Sequence, residues 1–344
     1  MTEQQPLRVA QVGVGYWGPN LLRNLVANPR CRVKTVVDLS PQRLDYVAGL
    51  YPKISVSSRI EDVVEDPEID AVVIATPVCT HCRMAVQMLD AGKHILVEKP
   101  MARSVEEVED IKQASERRDL VAMVGHTFLY NGAVRYLKNL IDSGEIGDIR
   151  YMYSHRLNLG RIRSDVDALW NFAPHDVSII QYLLGDIAPI SIESHGMDFV
   201  QPGIQDVVFL NILYPGKIMA HVHVSWLDPL KDRSLTVVGT KKMVVYNDVA
   251  ENKISIFDKG IDRMAVLGEH MDYDNNPSLW KFTYRSGDVI MPKIDLKEPL
   301  KVEIDHFFDC IQNGDHCLSG CDHALNVVGI LSRGSNDGNE NRDM

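Results

Sequence analysis

The sequence predicts a two-domain α/β protein: a doubly wound parallel sheet over residues 1–125, a substrate and oligomerisation domain with a mostly antiparallel sheet over 126–334, whose C-terminal helices can pack back on the first domain, and a disordered tail over 335–344. Three observations predict it. The chain's 344 residues exceed one ordinary α/β core. Short apolar runs alternate with amphipathic ones up to position 125, as βα units do. From Tyr130 onward strand-like runs follow one another, several separated by tight turns such as Pro215-Gly216, which is the habit of antiparallel sheets.

The first element is the apolar run Val9 to Val12, which breaks into Gly13-Val14-Gly15-Tyr16-Trp17-Gly18 and continues from Pro19 as an amphipathic run. That is strand, glycine turn, helix. Gly13 allows the sharp turn, Gly15 has no Cβ to hold a pyrophosphate off the backbone, and Gly18 lets the helix pack close on the strand. The helix's free N–H groups and positive dipole end face the phosphates, and Pro19 suits a first helical turn. The next β-rich run, Arg32 to Val37, ends in Asp38. A carboxylate at that strand tip accepts hydrogen bonds from the adenosine ribose and repels a 2′-phosphate, so the expected cofactor is NAD(H) rather than NADP(H).

Ser40 is the expected N-cap of a helix through Leu50, and a short helix follows over Ile60 to Val64. Ala71 to Ala75 is a buried strand ending at Thr76 and Pro77, with His81 just beyond. A helix from Cys82 to Ala91 stops at Gly92, and the strand His94 to Val97 ends in Glu98-Lys99-Pro100. Ser104 and Glu107 make a capping box for the next helix, and Val121 to Val124 is another strand, with His126 past its end. Ligands of such sheets bind beyond the strands' C-terminal ends, where Asp38, Thr76, Pro77, Lys99 and His126 all fall.

In the second half a helix covers Ala133 to Ile141. Strands are expected over Ile149–Leu157, Ile190–Val200, Val207–Tyr214, Ile218–Trp226, Ser234–Val238, Met243–Tyr246 and Ile254–Phe257, interrupted by a helix opening at His175 and ending at Leu184. Residues 260–295 carry no assignable pattern. Leu300, Ile304, Phe307, Phe308 and Ile311 mark one face of a helix, and Ala324 to Leu331 another.

Hydrophobic residues make up 45% and charged ones 24%, a globular composition, and 47 acidic side chains against 36 basic give a net charge of −11. That excludes general attraction to nucleic acid or anionic membrane and leaves room for a local basic pocket. No apolar run approaches the ~20 residues of a membrane span, and MTEQQPLRV lacks the basic start and apolar core of a signal peptide, so the cytoplasm is the expected compartment. Cys79 and Cys82 form a CxxC, and Cys317 and Cys321 lie near His323. Neither pair has a second half at zinc spacing, so reduced thiols and no metal are expected. His221, His223 and Ser225 alternate on one strand face, which points to an interface or solvated face rather than a metal site.

With the glycine turn, Ala75-Thr76-Pro77, Asn171 to Asp176 and above all Glu98-Lys99-Pro100 in place, the chain resembles the glucose-fructose oxidoreductase, inositol dehydrogenase and MocA (Gfo/Idh/MocA) family over nearly its whole length. The resemblance implies an N-terminal Rossmann domain, a C-terminal α/β domain with a large open sheet, NAD(P)-dependent oxidation or reduction of sugars and polyols, and homodimers or homotetramers formed through that sheet. It implies a cofactor site of Gly13, Gly15, Tyr16, Trp17, Gly18, Asp38, Thr76, Pro77, His81, Glu98, Lys99 and His126. Oxidising a secondary alcohol needs a base for the hydroxyl proton and a donor holding the oxygen. Lys99 is suited to bond both ribose and substrate hydroxyl, and His175 titrates near neutrality, as a general base must. Family members commonly carry an Asp four residues before this His; here it is Asn171, which orients substrate but takes no proton. Asp176 supports the turn, and Trp170 is a candidate pocket wall.

Arg156, Arg161 and Arg163, in the segment RLNLGRIR, suit a diphosphate or carboxylate on the substrate, or form a surface loop with scattered charge. They favour a nucleotide-linked sugar, such as a UDP-N-acetylhexosamine oxidised at C3, over a free polyol or sugar such as inositol. A non-catalytic NAD-sensing regulator is the third reading, and retention of Lys99 and His175 speaks against it.

Overall fold

The computed structural model describes residues 5–264 and 281–340. In chain order its elements begin β1 (Leu7–Val12), α1 (Gly18–Ala27), β2 (Cys31–Val37), α2 (Pro41–Leu50), β3 (Ser55–Ser57), α3 (Glu61–Val64), β4 (Ala71–Ile74), α4 (His81–Asp90), β5 (His94–Glu98), α5 (Val105–Arg118) and β6 (Ala122–Gly125). Then come α6 (Gly132–Asp142), β7 (Ile149–Leu159), α7 (Ala168–Leu184), β8 (Ser191–Met197), β9 (Val207–Tyr214), β10 (Ile218–Ser225) and β11 (Leu227–Gly239). The chain closes with β12 (Met243–Asn247), β13 (Ile254–Met264), β14 (Lys281–Ile290), α8 (Pro299–Asn313) and α9 (Cys321–Glu340).

Two compact units result, the first of Met1–Gly132, Leu169–Asp186 and Leu296–Met344, the second of Ala133–Ala168 and Ile187–Asp295. The first unit thus takes in α7 from Leu169 onward, together with α8 and α9, although all three lie beyond residue 125. That unit holds a six-stranded parallel sheet in the order β3-β2-β1-β4-β5-β6, with its switch point between β1 and β4. Strand side chains alternate between two cores. Val9, Val73, Leu96 and Met123 pack with Leu21 and Leu25 of α1 and with Leu300, Ile304, Phe307 and Phe308 of α8. Ala10, Ile74, Val97 and Val124 pack with Met88 of α4, Ile111 of α5 and Ala324 and Val328 of α9.

The second unit is built on an eight-stranded sheet, β14-β13-β12-β11-β7-β10-β9-β8, in which β7 and β10 run parallel and every other pair antiparallel. One face carries Tyr151, Phe209, Leu213 and Met219, all exposed, with the Phe209 and His223 rings stacked at 4.3 Å and His221 Nδ1 2.8 Å from Asn211 Oδ1.

The structure corrects several sequence expectations. β3 was missed, because its SVS segment has no apolar run and gains its order from pairing with β2. Ser40 stands at the N-cap of α2, but its own N–H is capped instead, by Asp38 Oδ1 at 2.8 Å. α7 starts at Ala168 rather than His175, so Pro174 and His175 lie inside the helix. A proline there costs about 3 kcal/mol, which the helix's deep burial through Ala168, Leu169, Ala173, Val177 and Ile180 outweighs. Within 260–295 the described residues are mostly strand, as β13 and β14; 265–280 lie outside the described residues. Disorder was expected from 335, yet α9 continues to Glu340, since extending a helix already nucleated by a buried face costs little. Residues 341–344 lie outside the described residues. No helix among the described residues is long and apolar enough to cross a membrane.

Phe307 is fully buried between α8 and the sheet. Phe307→Ala should cost ~3–5 kcal/mol in urea unfolding, as for other large core truncations. A loss under ~1 kcal/mol would mean that α8 is not part of the cooperative core.

Candidate active site

The glycine turn is a close-packed backbone cradle. Gly13 holds φ +94°, and a Cβ there would lie 2.4 Å from the Ala75 carbonyl oxygen. A Cβ on Gly18 would lie 2.6 Å from the Gly13 oxygen, so α1 can start this close to the strand only without one. At Gly15 a Cβ would meet nothing nearer than Arg43 Nη1 at 3.4 Å, which leaves its backbone open to approach. Gln11, buried in β1, closes the loop by donating its amide N–H groups to the Gly13 and Gly18 carbonyls at 2.9 and 2.8 Å. Sequence reading missed Gln11; a lone amide in the apolar run just before the glycines was the available sign. Asp38 Oδ2 accepts the Val14 N–H at 2.8 Å, leaving carboxylate lone pairs for ribose hydroxyls. Arg43 donates to the Val14 carbonyl at 2.6 Å. Tyr16 is 89% exposed and Trp17 41%, so neither ring belongs to the core. These features fit a dinucleotide.

At the end of β4, Thr76 Oγ1 lies 2.7 Å from Thr80 Oγ1, and Pro77 leads into a 3-10 turn over Val78–Thr80. His81, expected to contact cofactor, is instead 1% exposed, with its ring nitrogens 2.8 Å from the Thr76 carbonyl oxygen and 2.9 Å from that of Pro100. It ties the β4 loop to the loop after β5, and burial lowers its pKa. β5 ends with Glu98 opposite Gly125 of β6, so the residues that follow, Lys99 and His126, leave adjacent strand ends side by side. The Lys99–Pro100 peptide is cis. The Glu98 carboxyl accepts the Lys99 N–H at 3.1 Å, and burial lifts its pKa to about 7 against the opposing pull of the Lys99 charge. Glu303 of α8 is also fully buried, accepts Thr127 Oγ1–H at 3.0 Å, and is held well above the carboxylate range by burial and then by Glu98. Nothing in the local pattern of α8 distinguished Glu303 from a surface carboxylate.

Lys99 Nζ donates to the main-chain carbonyl of Asn171 at 2.9 Å. Pro174 has no N–H for the Trp170 carbonyl, so the turn of α7 that Lys99 reaches is the one a proline loosens. His175 stands one helical turn beyond Asn171 and packs edge-on against Phe128, with ring centroids 5.1 Å apart. Lys99, Asn171 and His175 are therefore brought together, though through the Asn171 main chain and not the amide expected to act. Trp170 donates its indole N–H to Ser335 Oγ at 2.8 Å and packs on the core beside α9, a structural use of the ring. His126 is 2% exposed and lies at the strand end where the cofactor pocket was expected.

The three arginines all lie in the second unit. Arg156 is buried within β7, whereas Arg161 and Arg163 are exposed in the following loop. Arg163 is paired with Asp165 at 2.5 Å, and its backbone carbonyl accepts an N–H from Gln201. Among the described residues the ligand atoms of His306, Cys310 and Cys317 lie within 4.8 Å of one another, a grouping not read from sequence. His306 Nε2 there already accepts the Leu318 N–H at 3.0 Å.

Comparison with known proteins places this geometry. The family described as "Oxidoreductase family, NAD-binding Rossmann fold" matches residues 7–126, and the "GFO/IDH/MocA C-terminal domain" matches residues 134–245. The chain is 27% identical to scyllo-inositol 2-dehydrogenase (NAD(+)) of Bacillus subtilis, over 96% of this chain and 94% of that one. It is 30% identical to 4-carboxy-2-hydroxymuconate-6-semialdehyde dehydrogenase of Sphingobium, covering 53% of this chain and only 60% of that relative. The solved structure of UDP-N-acetylglucosamine 3-dehydrogenase from Acidithiobacillus ferrooxidans has the same fold, with a TM-score of 0.79 at 20% identity over 97% of this chain and 98% of that one.

The raised pKa of Glu98 makes stability pH-dependent. Between the ordinary carboxyl value of 4.5 and about 7, the folded chain keeps a proton that the unfolded chain has lost. Stability therefore falls as pH rises through that window. Glu98→Gln should flatten this fall in melting temperature measured without cofactor between pH 5 and pH 8. Parallel curves for the two proteins would contradict it.

Proposed function

The chain belongs to the Gfo/Idh/MocA family of NAD-dependent oxidoreductases, and from that premise we propose that it oxidises a secondary hydroxyl of a sugar, most simply a nucleotide-linked sugar such as a UDP-N-acetylhexosamine at C3. The observation that carries the reading is the Lys99 Nζ bond to the main-chain carbonyl of Asn171, the residue one helical turn before His175. NAD, when bound, accepts the hydride from the carbinol carbon. The glycine turn and Asp38 would hold its pyrophosphate and ribose, Tyr16, Trp17, Thr76 and Pro77 would flank it, and Glu98 and His126 would line the floor. Lys99 orients the substrate oxygen by donating to it, and His175 takes the hydroxyl proton. Asn171 contributes by fixing Lys99.

Exposed Arg161, with Arg163, supports a charged substrate, as does the fold shared with a UDP-N-acetylglucosamine 3-dehydrogenase. A free polyol is the second reading, supported by the full-length similarity to scyllo-inositol 2-dehydrogenase and by the engagement of Arg163 with Asp165. A homodimer or homotetramer formed through the sheet face that exposes Phe209, Leu213 and Met219, working in the cytoplasm, completes the reading.

NADH formation with UDP-N-acetylglucosamine and with scyllo-inositol tests it. Lys99→Ala and His175→Ala should each lower kcat at least ~100-fold, the usual worth of a positioned acid or base, with NADH affinity changed little. Arg161→Ala should raise KM for the nucleotide sugar and leave that for a neutral polyol nearly untouched. If the unsubstituted chain reduces NAD with neither compound, nor with other UDP-sugars, inositols or aldoses, the reading fails.

A further inference from the structure

Three side chains lead away from the floor beside Lys99 toward solvent. His126 follows β6 as Lys99 follows β5, and the Glu98–Gly125 register sets the two next to each other. Its buried ring meets that of His323 of α9 edge-on, with centroids 5.1 Å apart and planes at 78°. His323, itself 4% exposed, has its Nδ1 2.8 Å from Asp186 Oδ1. Asp186 lies just past the C-terminus of α7, with φ 57° and a side chain 37% exposed. Among the described residues His126 Nδ1 and His323 Nε2, both buried, have no hydrogen-bond partner. Burying an unpaired ring nitrogen is costly, and two such atoms on facing rings are a costly pair to keep without a use.

We propose that His126, His323 and Asp186 form the path by which the proton released in the oxidation leaves the pocket for solvent, an inference that rests on the dehydrogenase reading above. Oxidation of a secondary alcohol breaks its C–H and O–H bonds and forms C=O. The hydride carries two electrons to NAD, and one proton stays behind. His175 takes that proton, Lys99 yields one of its own to a nitrogen of His126 and is refilled from His175, and His126 passes the proton of its other nitrogen to His323 when the two rings turn their unpaired nitrogens together. His323 in turn gives its Nδ1 proton to Asp186, which exchanges with water. Reduction runs the same chain inward. The charged and titratable groups bearing on His126 are Lys99 at the end of β5 and His323 of α9. Burial, then His323, then Lys99 disfavour the imidazolium, so the ring is neutral and carries both the N–H and the lone pair a relay requires.

His323→Asn and Asp186→Asn test the path, the latter because Asn tolerates the left-handed backbone there and still accepts from Nδ1. With UDP-N-acetylglucosamine or scyllo-inositol, whichever the unsubstituted chain oxidises, each should lower kcat about 10-fold and enlarge the solvent deuterium effect. NADH affinity by fluorescence should stay within about twofold, and added imidazole should restore part of the rate of His323→Ala. Unchanged kcat and isotope effect would overturn the path. A second measurement needs no substrate. In the NADH complex with 15N-labelled histidines, Asp186→Asn should shift the ring nitrogens of His126 as well as those of His323. Indifference of His126 would overturn the path even in an active enzyme. If neither compound is oxidised, the NMR result alone decides the relay.

Discussion

The hydrogen bond from Lys99 to the Asn171 carbonyl is the contact on which the site depends, and its setting explains why it can exist. A lysine at the end of a buried parallel strand has a long apolar stem and one strongly hydrated charge. Left to water the charge would wander. Here it meets a main-chain carbonyl in the turn of α7 where Pro174 removes an N–H and crowds the residues before it. The cation thereby gains a fixed acceptor, and Asn171 and His175 gain a fixed distance from the strand ends. The helix accepts the proline because its flanks are buried in the same unit, so packing energy is exchanged for geometry at the pocket.

Burial around that bond also decides which groups keep their charge. Burial lifts both carboxyls above the usual carboxylate range, Glu98 to about 7 and Glu303 well above its ordinary value, and the nearness of Glu98 adds to the rise of Glu303. His126 is neutral for the converse reason. Burial thus disfavours charge on the groups of the floor around the Lys99 ammonium. An electrostatic interaction made by the Lys99 ammonium is worth more there than at a hydrated surface. Because Glu98 titrates near pH 7, the balance between it and Lys99 is sensitive to the pH range in which a cell operates.

What the sequence disclosed and what it concealed follow from the reach of each interaction. The glycine turn, Asp38 and the Glu98-Lys99-Pro100 strand end were legible because their chemistry is local: a missing Cβ, a carboxylate at a strand tip, a cation at another. Gln11 and the His323–Asp186 pair were not, since the partners of His323 lie on other elements and only folding joins them. The start of α7 was not legible, because no local rule shows that the burial of Leu169 and Ala173 carries the helix through Pro174. The arginines, near in sequence, part in the fold: β7 extends to Leu159, so Arg156 is fixed in a buried strand while Arg161 and Arg163 lie in the loop beyond.

Cofactor choice shows the same dependence on fixed geometry. A carboxylate discourages a 2′-phosphate only if it cannot turn away, because a side chain free to rotate would relieve the repulsion at small cost. Asp38 is not free. One oxygen accepts the Val14 N–H of the glycine turn and the other the Ser40 N–H at the start of α2, both at 2.8 Å. Arg43, the nearest guanidinium to Gly15, is committed to the Val14 carbonyl, so neutralising a 2′-phosphate would require breaking the bond that braces the same turn. Preference for NAD therefore comes from a negative charge clamped by two main-chain donors and a positive charge occupied elsewhere. Reversing it would take changes at both positions, since removing the Asp38 carboxylate alone would also leave two amide donors without their acceptor.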